Sequence, residues 1–70
     1  MTMTQMHFEV FYVDPKNGWA AAEFDEDDNQ VGEAAFYFHK MDALRDARYM
    51  SQGVVPVYVF GKDGSKQRVV

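Results

Sequence analysis

The sequence predicts an α+β domain: an antiparallel sheet of four or five strands, in the order β-β-β-α-β-β, with one amphipathic helix on one face. Three observations predict this class. Several segments are rich in β-branched and aromatic residues and are separated by turn-forming residues. One stretch carries apolar residues at three- and four-residue spacing. A chain of 70 residues is long enough for only one small domain, which we expect to span residues 1–70 with residues 1–5 disordered.

The first two strands form the best-marked hairpin. Residues 6–13 (Met-His-Phe-Glu-Val-Phe-Tyr-Val) are strand-like, and a turn sequence follows them at once. Pro15 fixes φ for the start of a turn, and Asn17-Gly18 tolerates the positive φ of a tight hairpin. Residues 19–24 should therefore return antiparallel to the first strand.

The period of the sequence changes after a third strand. An acidic connection over residues 25–30 leads into strand-like residues 31–38, and from His39 the apolar residues recur at helical spacing. The helix should end near Gly53, because a residue without Cβ readily adopts the left-handed conformation that stops a helix. We expect the apolar stripe to contain Met41, Leu44, Ala47 and either Arg48 or Ser51.

Two further strands complete the order. Residues 54–60 are almost entirely apolar, and Pro56 among them lacks an amide proton, which indicates an edge position or an irregular start. Residues 61–64 (Gly-Lys-Asp-Gly) turn the chain, and residues 65–70 can form a short last strand.

Several of these segments together resemble a known family. The sequence is similar to the small bacterial and phage proteins grouped as domain of unknown function 2188, over most of residues 7–69. The resemblance implies a compact single-helix sheet domain from a family with no assigned activity. It rests on Gly18-Trp19 at the hairpin exit, Ala43-Leu44-Arg45-Asp46-Ala47-Arg48 in the helix, Val57-Tyr58-Val59 in a later strand, Gly61-Lys62-Asp63-Gly64 in the last turn, and Gln67.

Charge is distributed unevenly along the chain. The formal net charge is −4. Residues 1–39 contribute eight acids against one lysine, and residues 40–70 contribute six basic residues against three acids. If the two halves fold onto different faces, the molecule is electrically polar. The acidic balance argues against indiscriminate binding to nucleic acid or membranes, because neutralising phosphates is the main source of such affinity.

The composition also excludes several kinds of chemistry and a membrane-spanning segment. The chain has no cysteine, which excludes disulfides, thiolate zinc sites, thiol nucleophiles and thiol redox chemistry. Its longest apolar stretch, residues 54–60, is far shorter than the ~20 residues of a membrane span, and residues 1–6 carry no basic residue to begin a signal peptide. We therefore expect a cytoplasmic protein.

The sequence contains part of the ligand pattern of a calcium-binding loop, but not all of it. Asp25, Asp27 and Asn29 match the first three ligand positions of a calcium-binding loop. Gln30 then stands where a glycine must make the sharp turn, and Phe36 stands where a bidentate glutamate is needed. The acidic loop is therefore not expected to bind calcium.

Other catalytic and metal patterns are also missing from the sequence. His7 and His39 share no metal-ligand spacing, and Ser51 and Ser65 lack the context of a catalytic nucleophile. Glu9 and Glu23 could face each other across the hairpin, but a one-helix domain of this size rarely encloses a substrate pocket. We expect no enzyme activity, no catalytic residue, no cofactor and no metal.

The predicted strands have two apolar faces. Phe8, Val10 and Tyr12 share one face of the first strand, while Phe11 and Val13 lie on the other. One helix can cover only one side of the sheet. The other side should be covered in one of two ways: the last hairpin curls round it, or a protein partner or a second copy of the chain packs on it. A second copy would make the protein a homodimer, which we expect.

An acidic stretch suggests the kind of partner. Residues 23–33 hold six carboxylates and no basic residue. The run is either a solvated loop or a surface that presents carboxylates where a nucleic acid presents phosphates. In the second case the protein would act like small phage inhibitors of the anti-CRISPR or antirestriction type, which occupy the basic groove of a host defence protein. The predicted partner-binding residues are Asp25, Glu26, Asp27 and Asp28, with Trp19, Tyr58 and Phe60 as aromatic anchors.

Two other interpretations compete with this one. The chain could be a nucleic-acid-binding accessory domain, although acidic residues on the same helix partly neutralise its helical arginines. It could also have only a structural role as a dimerisation domain. The basic patch of the first alternative consists of Arg45 and Arg48 on the helix and Lys66 and Arg68 on the last strand.

Overall fold

The computed structural model describes residues 6–70, so the expectation for residues 1–5 lies outside the described residues. The predicted α+β class, with one helix after the third of five strands, is confirmed. The strands are β1 (His7–Asp14), β2 (Gly18–Phe24), β3 (Gln30–Tyr37), β4 (Val57–Phe60) and β5 (Lys66–Arg68), and helix α1 (Lys40–Ser51) lies between β3 and β4.

The sheet is mixed, so the predicted fully antiparallel sheet is wrong. Its strand order is β3-β2-β1-β4-β5, and β1 pairs with β4 in parallel while the other neighbours are antiparallel. The reason is the path of the chain. β3 runs in the same direction as β1, and α1 then returns the chain to the end of the sheet where β1 begins. The next strand along the free edge of β1 must therefore run parallel to it.

The β1–β2 turn forms as predicted, with side-chain support. Asp14 Oδ1 accepts a hydrogen bond from the backbone amide of Asn17, at 2.6 Å, and both Asp14 oxygens accept from the Asn17 side chain. The backbone amide of Asn17, followed by its side-chain amide, holds the pKa of Asp14 below its usual value. Gly18 then begins β2 with φ +73°, the left-handed region that favours glycine.

Helix α1 ends where the sequence predicts, and its buried stripe includes the predicted Ala47 and Ser51 but not Met41. Gln52 caps it in the left-handed region, with its amide bonded to the Tyr49 carbonyl. The buried residues are Ala43, Ala47 and Ser51, whereas Met41 is 71% exposed, so its placement in the apolar stripe is wrong. Small residues at the contact let the helix approach the sheet closely. With 12 residues, α1 is neither long nor apolar enough to cross a membrane, and residues 6–70 contain no helix that is.

A small core lies between α1 and the sheet. Val10 of β1 pairs with Ala21 of β2 and with Val59 of β4, which puts all three on the face under the helix. The helix contacts β1, β2, β3 and β4 but not β5. The buried cluster consists of Phe8, Val10, Trp19, Ala21, Ala43, Ala47, Val57 and Val59.

The fourth strand is shorter than predicted. β4 begins at Val57, and the residues before it form turns after the helix. Pro56 stands immediately before the strand, where its missing amide costs no ladder bond and its carbonyl accepts from Phe8 at 2.9 Å. Because β4 lies between β1 and β5, the irregular start is the correct interpretation of Pro56 and the edge position is wrong.

We expect Gly18→Ala to destabilise the domain by about 2 kcal/mol or more. Alanine disfavours the left-handed backbone conformation of this position. Its Cβ would also collide with the Tyr37 carbonyl oxygen and approach Phe38 Cα to 3.0 Å. Gly64→Ala is the matched control. Gly64 also has positive φ (+87°), but a Cβ there meets nothing within 4 Å. Urea unfolding of both variants measures the difference, and equal losses of stability would contradict the predicted collision.

Candidate interaction surface

The side of the sheet opposite α1 has no second layer among residues 6–70; we call it the open face. Directly paired residues share a face, so the strand register identifies its members. Phe11 pairs with Ala20, which pairs with Phe36, and Glu9 pairs with both Ala22 and Tyr58. The open face consists of His7, Glu9, Phe11, Ala20, Ala22, Phe24, Gln30, Phe36, Tyr58, Phe60, Lys66 and Arg68.

Large rings and small residues alternate across the open face. Ala20 is 0% exposed and Ala22 3%, although no layer lies over them, because larger neighbours shield their methyl groups. Phe36, at the β3 edge, is 59% exposed, and Phe38 just beyond the strand is 78% exposed. These two rings were not singled out in the sequence, since position in the strand order decides their exposure.

The last hairpin does not curl over the open face. β5 continues the sheet beside β4, so the covering role considered for it in the sequence is wrong. From this hairpin Lys66 lies over two rings, with its Nζ 4.4 Å from the centre of the Tyr58 ring and 5.7 Å from that of Phe60. A lysine on an aromatic face is a weak and easily exchanged cover.

The three predicted aromatic anchors lie in different environments. Tyr58 and Phe60 are half-buried on the open face. Trp19 belongs to the core under the helix, where it is 9% exposed. Its ring meets Tyr12 edge-on at 5.6 Å, and Lys40 Nζ lies 5.5 Å from the ring centre. Trp19 therefore offers almost no surface to another molecule.

The acidic residues form an ordered loop at one end of the sheet; we call residues 25–29 the acidic loop. Asp25 Oδ1 accepts hydrogen bonds from the backbone amides of Asp27 and Asn29, both at 2.9 Å. This oxygen, a ligand in the rejected calcium pattern, is thus used by the loop itself. Glu26, Asp27 and Asp28 are exposed, and Asp28 has φ +62°.

The acidic loop meets the open face at one cluster, which we call the His7 cluster. His7 Nε2 lies 2.7 Å from Glu9 Oε2 and 3.4 Å from Asp28 Oδ1. One ligand atom from each of the three residues lies within 4.8 Å of the others. This cluster was not predicted from the sequence, in which His7 and His39 share no metal-ligand spacing. The available signal was His7-x-Glu9, two polar residues on one face of an apolar strand.

The predicted basic patch is not assembled. Arg45 and Arg48 lie on the exposed surface of α1, on one side of the sheet, whereas Lys66 covers rings on the other side. Arg45 also pairs with Asp42 at 3.3 Å and with Asp46 at 3.8 Å. The four residues therefore form two separate groups, and carboxylates partly neutralise the one on the helix.

The helix also leaves part of its own side of the sheet uncovered. An open groove of about 450 Å³ lies between Met50 of the helix and β3, with Val31, Ala35 and Glu33 along it. Met50 is 46% exposed and Val31 42%. The groove follows from the narrow contact stripe of α1.

Comparison of the chain with protein-family models, with curated proteins and with solved structures finds no significant match. The similarity to the family of unknown function 2188 stays a prediction from the sequence.

We expect Asp25→Ala to loosen the acidic loop without unfolding the domain. The substitution removes the acceptor for the amides of Asp27 and Asn29, so both amides should exchange with deuterium faster. Asp27→Ala is the control, because the Asp27 side chain accepts no loop hydrogen bond. Unchanged exchange at Asn29 in Asp25→Ala would show that the side chain does not organise the loop.

Proposed function

We propose that this protein is a non-enzymatic protein-interaction module that binds its partner through the open face. One observation carries the proposal: aromatic rings occupy the side of the sheet that no other part of residues 6–70 covers. Exposed apolar patches of this kind are typical of interaction sites. The surface is a sheet face with shallow relief, a shape suited to another protein more than to an enclosed small substrate.

The chemistry of the partner is inferred from the acidic loop. Glu26, Asp27 and Asp28 are consecutive, exposed and held by hydrogen bonds within the loop, at the end of the open face. A basic protein surface complements this arrangement, and the partner class we propose is a protein whose basic groove ordinarily holds nucleic-acid phosphates. The cysteine-free chain fits a reducing compartment, and we propose the cytoplasm.

Within the contact, the rings and the carboxylates have different roles. Phe36, Tyr58 and Phe60 provide apolar area, which dominates interface energetics. The carboxylates of the acidic loop act at longer range and accelerate the encounter. Self-association through the same face is the alternative use of this surface, and light scattering distinguishes a homodimer from a monomer that awaits a different partner.

A second candidate function is binding of single-stranded nucleic acid, and one observation favours it. Lys66 and Arg68 lie on the open face beside Tyr58 and Phe60, a combination of cations and rings on which bases can stack. Glu9 in the middle of the same face opposes it. Micromolar, salt-sensitive binding to immobilised single-stranded DNA would support this function over the protein partner.

We expect Phe36→Glu to weaken partner binding by about 2 kcal/mol, roughly thirtyfold, because it places a charge in the apolar contact. Tyr49→Glu is the matched control, since Tyr49 is a 79% exposed aromatic on α1, remote from the open face. Affinity capture from the natural host, with mass spectrometry and then a binding titration of the captured protein, measures the effect. If Tyr49→Glu is the damaging variant, or both variants bind like the wild type, the open face is not the contact.

We expect the double charge reversal Glu26→Lys and Asp27→Lys to slow association with the basic partner by about tenfold at low salt, with little change in the dissociation rate. Both side chains face solvent, so the fold should be kept. Surface plasmon resonance at two salt concentrations measures the rates, and the difference should shrink at the higher one. Association rates equal to those of the wild type at low salt would remove the acidic loop from the proposal.

A further inference from the structure

The His7 cluster has an excess of negative charge. Two carboxylates, from Glu9 and Asp28, face one imidazole ring. Among residues 6–70, no lysine or arginine forms an ion pair with either of them. The side chains of His7 and Glu9 are only 16% and 17% exposed. A half-buried carboxylate beside a second one is stabilised by a cation at the position they share.

The geometry of the cluster matches a metal ion's needs. Metal–ligand distances of about 2.0–2.2 Å in a tetrahedral site separate the ligand atoms by roughly 3.4 Å. His7 Nε2 and Asp28 Oδ1 already have this separation, at 3.4 Å. The contact between His7 and Glu9, at 2.7 Å, has to lengthen by about 0.7 Å, which a rotation of the Glu9 side chain can supply.

The imidazole is held in position by its neighbours. The His7 ring stacks on Phe24, with centroids 5.8 Å apart, and meets Tyr58 edge-on at 5.7 Å. Both contacts leave Nε2 directed at the two carboxylates. Asp28 is 79% exposed, so the cluster opens to solvent on the loop side and an ion can enter there. A ligand set that is already in place binds without a large ordering cost.

We propose that the His7 cluster binds a divalent transition-metal ion through His7 Nε2, a Glu9 oxygen and an Asp28 oxygen. One imidazole with two carboxylates suits zinc and similar ions better than calcium or magnesium, which take oxygen ligands. Three protein ligands leave a coordination position for water or for a donor from another molecule. The ion ties the acidic loop to β1, two segments that are far apart in the sequence.

The test is calorimetric titration of Zn²⁺ into the full chain at about pH 7.5. We expect saturable binding of one ion per chain in the micromolar range. Glu9→Gln and Asp28→Asn should each weaken binding by roughly tenfold or more. Ca²⁺ and Mg²⁺ should bind far more weakly than Zn²⁺.

Matched controls exist in the chain. Glu26→Gln removes a carboxylate from the same loop but outside the cluster, and His39→Asn removes the other histidine; neither should change the affinity for Zn²⁺. Asp28→Asn changes an exposed loop residue and tests the site even if variants of β1 unfold. NMR of the histidine rings adds an independent measurement, in which Zn²⁺ should shift the His7 resonances and leave those of His39 unchanged.

Three results would overturn the inference. The first is no saturable Zn²⁺ binding by the wild type, which would leave the cluster as an ion pair between His7 and its two carboxylates. The second is an equal loss of affinity in Asp28→Asn and Glu26→Gln, which would indicate general attraction to the acidic loop. The third is a shift of His39 in place of His7. None of these results bears on whether the open face binds a protein partner, so the two proposals can fail separately.

Discussion

The close approach of α1 to the sheet determines much of the structure. The buried residues of the helix are two alanines and one serine, all of them small. Such a contact is tight but narrow. It leaves room under the helix for a small core of valines, one phenylalanine and Trp19, while most of the other rings are displaced to the edges and to the opposite side of the sheet.

The distribution of charge follows from the strand order. The acidic loop connects β2 to β3 on one side of β1, and the basic residues of β5 lie at the opposite edge of the sheet. The acidic and basic halves of the sequence therefore lie at opposite edges of the open face. The carboxylates are at the end of β2, and Lys66 and Arg68 lie beyond β4. A partner bound to this face experiences both signs of charge, and its orientation is constrained accordingly.

Local features of the fold could be predicted from the sequence, and its long-range relations could not. The hairpin at Asn17-Gly18 and the helix end near Gly53 depend on backbone preferences of a few adjacent residues. The parallel pairing of β1 with β4 depends on where the helix returns the chain, which no local pattern encodes. In the stripe of α1, Met41 was misplaced and Ala43 was missed, because alanine is compatible with both a buried and an exposed position, whereas Met41 looked like a core residue.

The candidate site shows the same limit. Tyr58 and Phe60 were predicted as aromatic anchors of a partner contact, and both lie on the open face. The His7 cluster needs Asp28, which lies 21 positions along the chain from His7, and only the register of β1 with β2 brings its loop beside His7.

The outer strand β3 has one irregularity whose consequence concerns polymerisation. Between the pairs Ala21–Ala35 and Glu23–Val31, β3 uses two more residues than β2, and Gly32 in this interval has φ +77°. An eight-residue edge strand with unpaired amides and carbonyls would otherwise allow further copies of the protein to pair with it and form fibrils. The kink interrupts the regular spacing of those groups, so a neighbouring molecule can match only part of the border. The protein can thus expose an apolar surface for recognition while its edge strand resists pairing with further copies.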